Sequence, residues 1–112
     1  MARDEPGADT PETDDEPSRL QYDLLVAAAE LDRLNQSLTA RAVWDRARRY
    51  GVRISHAALY NNLSALVETG LLSKRTNPAD ARSSLYEPTE TGIETLRNRS
   101  TRLSSALSGA LA

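Results

Sequence analysis

Short or polar side chains, none of them acidic, recur at helical spacing between Ser55 and Gly70. The set consists of His56, Ala57, Tyr60, Asn61 and Ser64. Imidazole, hydroxyl and amide groups donate and accept hydrogen bonds, and a surface without carboxylates does not repel a polyanion. A helix face of this kind suits close approach to the base edges in the major groove of DNA. The segment therefore predicts double-stranded DNA as a partner, with Ser55 at the edge of the contacting set.

These side chains need a helix over residues 55–69 to present them on one face. Ser55 is a suitable N-cap, because its hydroxyl can accept a hydrogen bond from a free backbone N–H of the first turn. Gly70 can adopt the left-handed conformation that ends a helix. The opposite face is apolar at helical spacing and is predicted to pack on a core; it comprises Leu59, Leu63, Leu66 and Val67.

The chain after this helix predicts a β-hairpin. Residues 71–76 and 84–88 have the composition of strands. The sequence Asn-Pro-Ala-Asp at 77–80 favours a turn, because Pro presets its backbone angle and Asn and Asp bond their own backbone. The tip of the hairpin is predicted to carry Lys74, Arg75 and Arg82. Contacts of Lys74 and Arg75 with the DNA backbone would set affinity more than sequence choice.

Two helices are predicted before this unit. Ser18 and Gln21 fit a capping box that starts a helix ending near Arg33. Thr39 can cap a second helix, which Gly51 would end. The second helix and the helix over 55–69 then form a helix-turn-helix. Arginines around the second helix are candidates for contacts with the DNA backbone, although such a stripe is as typical of a solvated face; they are Arg41, Arg48, Arg49 and Arg53.

Two aromatic residues of the second helix, Trp44 and Tyr50, are predicted to belong to the core and not to a ligand site.

A last helix is predicted from Thr89 onward. The first and last helices carry apolar stripes that are too rich for solvent, which favours a homodimer. The candidate dimerisation residues are Leu20, Leu24, Leu96, Leu103, Leu107 and Leu111.

Charge is distributed unevenly along the chain of 112 residues, whose formal net charge is −2. Residues 1–17 contain one basic and seven acidic residues, whereas the remainder contains 13 basic and nine acidic ones. An acidic tail joined to a basic domain is typical of proteins with nucleic-acid partners. The tail lacks large apolar residues after Met1 and is predicted to be disordered. It is either a solubilising leader or a competitor for the basic surface.

The composition argues against several classes of function. The chain has no cysteine and a single histidine, which leaves little for a metal site, a cofactor or acid–base catalysis, so we expect no enzyme. No apolar run approaches the roughly 20 residues that span a bilayer, and a secretory signal is lacking, which predicts a cytoplasmic protein. Basic residues are almost all arginine, a weak indication of a haloarchaeal source.

The chain resembles winged-helix transcription regulators in the order of its elements. Residues 59–63, Leu-Tyr-Asn-Asn-Leu, followed by Val-Glu-Thr-Gly-Leu-Leu at 67–72, are similar to the recognition helix of the PadR family. Asn61 stands where that family usually has Pro. The hairpin resembles the MarR family more closely, since Asn-Pro-Ala-Asp-Ala-Arg at 77–82 matches its Asp-x-Arg pattern; Pro88 replaces the Leu of its Leu-Thr-x-x-Gly motif.

The resemblance implies roles for individual side chains. Asn61 could bond adenine through its amide, and Tyr60 would contact a phosphate or, alternatively, pack on the wing. His56 faces the groove or is an exposed residue without a role. Arg82 would enter the minor groove with Asp80 orienting it, unless the two form only a solvated ion pair. The wing set over residues 73–84 is Lys74, Arg75, Asp80, Arg82 and Ser83.

The sequence thus predicts a mostly α fold with a small β-hairpin, a winged helix-turn-helix over residues 18–90. It lies between the acidic tail, 1–17, and a dimerisation helix, 91–112. The resemblance implies a PadR-like homodimeric repressor that reads a palindromic operator. The alternatives are a winged helix for protein contacts in a larger assembly and a DNA-binding protein of plasmid or virus maintenance. A small-molecule effector is compatible with the sequence but not indicated by it.

Overall fold

The computed structural model describes residues 16–111, and side chains as far as residue 109. Almost all of the predicted disordered tail, residues 1–15, lies outside the described residues. The elements in chain order are helices α1 (Arg19–Arg33), α2 (Ala40–Arg48) and α3 (His56–Glu68), strands β1 (Leu72–Asn77) and β2 (Asp80–Pro88), and helix α4 (Glu90–Leu111). This confirms the predicted fold class.

Side-chain caps begin each helix at the predicted residue. Ser18 forms the capping box, since its hydroxyl accepts from the Gln21 N–H while the Gln21 side chain accepts from the Ser18 N–H. Thr39 and Ser55 accept from the backbone N–H three residues later, at 3.1 Å in both cases. Each cap satisfies a donor that a helix end leaves free. Local sequence therefore decides where α1, α2 and α3 begin.

One apolar core lies between the first three helices and the base of the hairpin. Leucines of α1 and α3 meet Val43 of α2 there, and the hairpin adds Leu72 and Tyr86. Leu38 joins the hairpin to the helices, because its carbonyl accepts from the Tyr86 N–H at 2.8 Å. The fully buried large side chains are Leu24, Leu25, Val43, Leu59, Leu63, Leu66 and Leu72.

The end of α2 differs from the prediction. The helix ends at Arg48, and Gly51, with φ of 92°, closes the turn that follows. Tyr50 therefore leaves the helical periodicity and is 67% exposed, so its prediction as a core residue was wrong. Its ring lies instead beneath the Arg46 guanidinium, whose carbon is 5.7 Å from the ring centroid.

The hairpin is longer than predicted, and its turn is tighter. Leu72 pairs with Pro88 at the base, and only Pro78 and Ala79 separate the two strands. Lys74 and Arg75 pair with Tyr86 and Leu85 in the middle of the hairpin, so their prediction as tip residues was wrong. Successive side chains of a strand point to opposite faces, so these two cations cannot share one face.

The junction between α3, the hairpin and α4 explains the Thr-x-x-Gly pattern. The Thr89 hydroxyl accepts from the Gly92 N–H at 2.9 Å and donates to the Gly70 carbonyl at 2.6 Å. The Thr89 N–H donates to the Leu71 carbonyl at 3.1 Å. A Cβ atom at Gly92 would overlap that same carbonyl oxygen. The pattern is therefore a packing requirement at the start of α4.

The second half of α4 leaves the body of the domain. Every residue from 97 to 109 is exposed, including Leu103 at 54% and Leu107 at 62%. An isolated helix of this length is marginal in water, so its stability depends on a tertiary or quaternary contact. None of the helices in the described part of the chain is long and apolar enough to cross a membrane.

Candidate nucleic-acid interface

The outer face of α3 is exposed as predicted. All of the predicted reading residues lie on it: His56, Ala57, Tyr60, Asn61 and Ser64. The Asn61 side chain makes no hydrogen bond within residues 16–109. The Asn62 side chain, in contrast, donates to the Ala58 carbonyl at 2.7 Å and accepts from the Gln21 side chain at 3.2 Å. Ser55 caps the helix and remains exposed.

A row of aromatic rings joins α2 to this face. The Trp44 and His56 ring centroids are 5.7 Å apart, and those of His56 and Tyr60 are 4.8 Å apart in an edge-on arrangement. Trp44 is partly buried against the core, as predicted, but it also supports the outer face of α3. Sequence reasoning missed this contact because Trp44 and His56 lie on different helices and share no periodicity.

Arginines of α2 surround Trp44. The guanidinium carbon of Arg48 lies 5.5 Å from the Trp44 ring centroid, and that of Arg41 lies 6.0 Å away. Arg41 also pairs with Asp45 at 3.3 Å in an exposed contact that contributes little to stability. Arg49 and Arg53 are exposed, and Arg48 and Arg53 line a surface pocket with Ser55, the N-cap of α3. Arg48 and Arg53 therefore border the N-terminal end of α3.

The tip of the hairpin presents Arg82. The Asp80 carboxylate accepts from the Arg82 backbone N–H at 3.1 Å and lies 3.5 Å from the guanidinium Nε. The Arg82 side chain is 93% exposed, so Asp80 orients it without covering it. The Ser83 hydroxyl is used inside the turn, since it accepts from Asn77 and donates to the Asp80 carbonyl. The DNA contact predicted for Ser83 stays a prediction.

Arg75 forms an ion pair within the hairpin. Its guanidinium donates to the Glu87 carboxylate at 3.0 Å, which, together with the charge of Glu87, raises the pKa of Arg75 above its usual value. The Arg75 side chain stays about half exposed, so its contact with phosphates stays a prediction. Lys74 lies against Tyr86, with its ammonium nitrogen 5.8 Å from the ring centroid. Arg82 thus points outward from the tip of the hairpin, and Lys74 packs on an aromatic ring in its middle.

A separate groove lies between the start of α1 and α4. It has a volume of about 670 Å³ and is lined by Glu16, Pro17, Tyr22 and residues of α4. The guanidinium carbon of Arg99, in α4, lies over the Tyr22 ring at 4.1 Å from its centroid. Among the candidate dimerisation residues, Leu24 is fully buried in the core of its own protomer, so its prediction as an interface residue was wrong. The Leu111 side chain lies outside the described residues.

The other candidate dimerisation residues fall into two groups. Leu20 and Leu96 are half-buried against the core, and Leu103 and Leu107 are open to solvent. Within residues 16–111, no group of three or more His, Cys, Asp or Glu side chains is placed to hold a metal ion.

Comparison with known proteins finds similar structures but no matching family model and no matching curated protein. The PcaV transcriptional regulator from Streptomyces coelicolor, in complex with its natural ligand, is 27% identical with a TM-score of 0.62. The alignment covers 87% of this chain and 64% of PcaV, so the chain spans less than two thirds of that regulator.

Two further structures share the fold. A mutant of MepR from S. aureus aligns with a TM-score of 0.72 at 15% identity, over 89% of this chain and 67% of MepR. A mutant of MarR from E. coli, complexed with operator DNA, aligns with a TM-score of 0.60 at 20% identity, over 77% of this chain and 55% of MarR. The PadR-like subtype and the haloarchaeal source stay predictions. The chain thus shares its winged helix-turn-helix fold with transcription regulators of the MarR type.

Proposed function

We propose that this protein is a transcription regulator that binds double-stranded DNA, with α3 in the major groove and the hairpin at the minor groove. The outer face of α3 carries the proposal, because its polar side chains are exposed and none of the side chains on this face is acidic. An α-helix with its side chains is about 10–12 Å wide, which matches a major groove of about 12 Å. Asn61 has the free amide that recognition of adenine requires.

Cations on the elements that flank α3 support this orientation. Arg48 and Arg53 line a surface pocket with Ser55 at its N-terminal end, and Arg82 extends from the tip of the hairpin. The nearby carboxylates of Asp45 and Asp80 are engaged by arginines, which limits their repulsion of phosphates. Cations along the flanks would fix the position of α3, while its own side chains would read the bases. The same fold holds operator DNA in the MarR structure, which agrees with this arrangement.

We propose that the protein forms a homodimer through α4. Leu103 and Leu107 are one helical turn apart and more than half exposed, and all side chains from 97 to 109 are exposed in the part of the chain that the structure describes. A twofold partner would cover these leucines and place two α3 helices about one duplex turn apart, which requires a palindromic site. A dimer at a promoter would act as a cytoplasmic repressor by blocking polymerase. PcaV, which has a similar fold, is seen in complex with its natural ligand, and an effector of this protein is compatible with the proposal.

The decisive experiment is selection of bound duplexes from a random pool with the full chain. We expect enrichment of two inverted half-sites whose centres are one helical turn apart. Arg82→Ala should then weaken binding to the selected duplex and reduce its salt slope by up to about one, because a cation in the minor groove is attracted by the negative potential of the phosphates around it. Arg33→Ala, which removes an exposed arginine at the far end of α1, is the matched control and should leave the slope unchanged.

The main rival is a winged helix that contacts another protein in a larger assembly. Failure to enrich any duplex, with the chain folded at the same concentration, would contradict DNA binding and favour this rival. An unchanged salt slope for Arg82→Ala would instead remove only the proposed role of the hairpin.

A further inference from the structure

An aromatic row joins the outer face of α3 to Trp44 of α2, a residue that the proposed function does not use. It consists of Trp44, His56 and Tyr60, with centroid separations of 5.7 and 4.8 Å. Trp44 is the single tryptophan of the chain and His56 its single histidine. The row lies at the N-terminal end of α3, where the first helical residue is His56 itself.

The contacts of the row hold the His56 ring from two sides. Trp44 lies against it at an interplanar angle of 57°, and Tyr60 meets it edge-on at 63°. Trp44 is anchored in turn, because it packs on the core and has the Arg48 guanidinium over its ring. Aromatic pairs in such geometries are stabilised beyond the area they bury. The imidazole is therefore restrained before any ligand arrives, which reduces the entropy cost of binding.

The polar atoms of His56 remain available in spite of these contacts. The imidazole is exposed, and it makes no hydrogen bond to a protein group among residues 16–109. An imidazole N–H can donate to the N7 atom of a purine, which faces the major groove. In helix-turn-helix proteins the N-terminal residues of the second helix contact base edges. His56 has both the position and the free donor that such a contact needs.

We propose that His56 determines specificity for one purine in each half-site and that Trp44 is its positioning residue. This inference rests on the proposed function. Trp44 does not reach the base itself in this arrangement. It fixes the plane and direction of the imidazole from the neighbouring helix. Without Trp44, the imidazole would have Tyr60 as its remaining aromatic neighbour and would be restrained from one side only.

The first test measures base discrimination with the full chain. Duplexes carrying each single base-pair change of the selected half-site are ranked by affinity for the wild type and for His56→Ala. We expect His56→Ala to lose about tenfold of the discrimination at one purine position and little at the others. Trp44→Leu should lose part of the discrimination at that same position, whereas Trp44→Phe, which keeps an aromatic ring, should restore most of it.

A matched control and a stability check separate this role from a general structural one. Tyr50→Leu removes another aromatic ring that contacts an arginine of α2, but that ring lines a cavity against α1. It should leave the discrimination profile unchanged. Thermal unfolding of each variant identifies any that is not folded, and His56→Ala alters only an exposed side chain.

The second test uses the single histidine as a spectroscopic probe. Its imidazole proton signals in NMR spectra need no assignment, and the rings of Trp44 and Tyr60 should displace them from their values in an unstructured peptide. Trp44→Leu should reduce this displacement in the free protein. Addition of the selected duplex should shift the signals, and a duplex changed at the purine should shift them less.

The outcomes distinguish the inference from the function on which it rests. Unchanged discrimination at every position for His56→Ala would overturn the role of His56. Full discrimination in Trp44→Leu, or imidazole signals that do not respond to that change, would overturn the positioning role of Trp44. A wild type that binds no duplex would overturn the proposed function, and this inference with it.

Discussion

Gly92→Ala should destabilise the protein although alanine favours a helix more than glycine does. The gain in helix propensity is about 1 kcal/mol in favour of alanine. The new Cβ would overlap the Leu71 carbonyl oxygen, a backbone atom that cannot rotate away. Relief requires the start of α4 to move, at a cost of about 1–3 kcal/mol for overpacking.

That movement would also lengthen a hydrogen bond that lies beside the overlap. The Thr89 N–H donates to the same Leu71 carbonyl at 3.1 Å, and its loss costs about 1 kcal/mol. The hydrogen-bond loss offsets the propensity gain, so the net destabilisation should be about 1–3 kcal/mol. For a domain of this size, the midpoint of thermal unfolding should fall by about 5–20 °C.

The same helix supplies the control for this prediction. Gly109 lies in α4 with open space where a Cβ would stand. Gly109→Ala should therefore keep the propensity gain, at most about 1 kcal/mol, and raise stability slightly. Both variants are compared with the wild type by thermal and denaturant unfolding at one protein concentration, because an oligomer unfolds in a concentration-dependent way. Equal stabilisation by the two substitutions would show that the Leu71 carbonyl does not exclude a side chain at residue 92.

Two further predictions concern the exposed helix and the buried phenol. Leu107→Ser should shift the full chain toward a monomer in sedimentation experiments, because it removes an apolar side chain that is 62% exposed in the protomer. Leu34→Ser, at another exposed leucine, should not cause this shift. Equal sedimentation of the two variants would contradict a dimer through α4. Burial, and secondarily the neighbouring Tyr60, raises the pKa of Tyr86. The protonated phenol thus favours the folded state, so this contribution is complete below about pH 10 and is lost as the pH rises through the higher pKa of the folded protein. Tyr86→Phe should reduce the loss of unfolding free energy above about pH 10, and an unchanged pH profile would contradict the assignment.

The positions of the elements follow from local sequence to a large extent. Ser18, Thr39, Ser55 and Thr89 each provide a hydroxyl that accepts from a free N–H of the following helix, and such contacts need only three residues of chain. The exposed face of α3 is equally local, since helical periodicity assigns Leu59 and Leu63 to one side and Asn61 to the other. These predictions depended on no distant contact.

Other predictions failed where an outcome depended on the end of an element or on a partner strand. Tyr50 would have faced the core if α2 had continued for one more turn, but the turn closed by Gly51 moves it to the surface. The ion pair of Arg75 with Glu87 was not predicted, because Glu87 is distant in sequence and reaches Arg75 only through the pairing of β1 with β2. Leu24 belongs to an apolar stripe that periodicity cannot divide between a core and an interface.

Local sequence was enough to predict the helix starts, the hairpin turn and the acid-free face of α3, because each depends on residues within one or two turns of chain. It could not predict that Trp44 contacts His56, that Gly92 must lack a side chain, or that residues 97–109 of α4 are exposed within the part of the chain that the structure describes. Each of these depends on how separate elements are placed relative to each other in space. Their distances and angles are set by the packing of the whole core, which no local pattern of residues records.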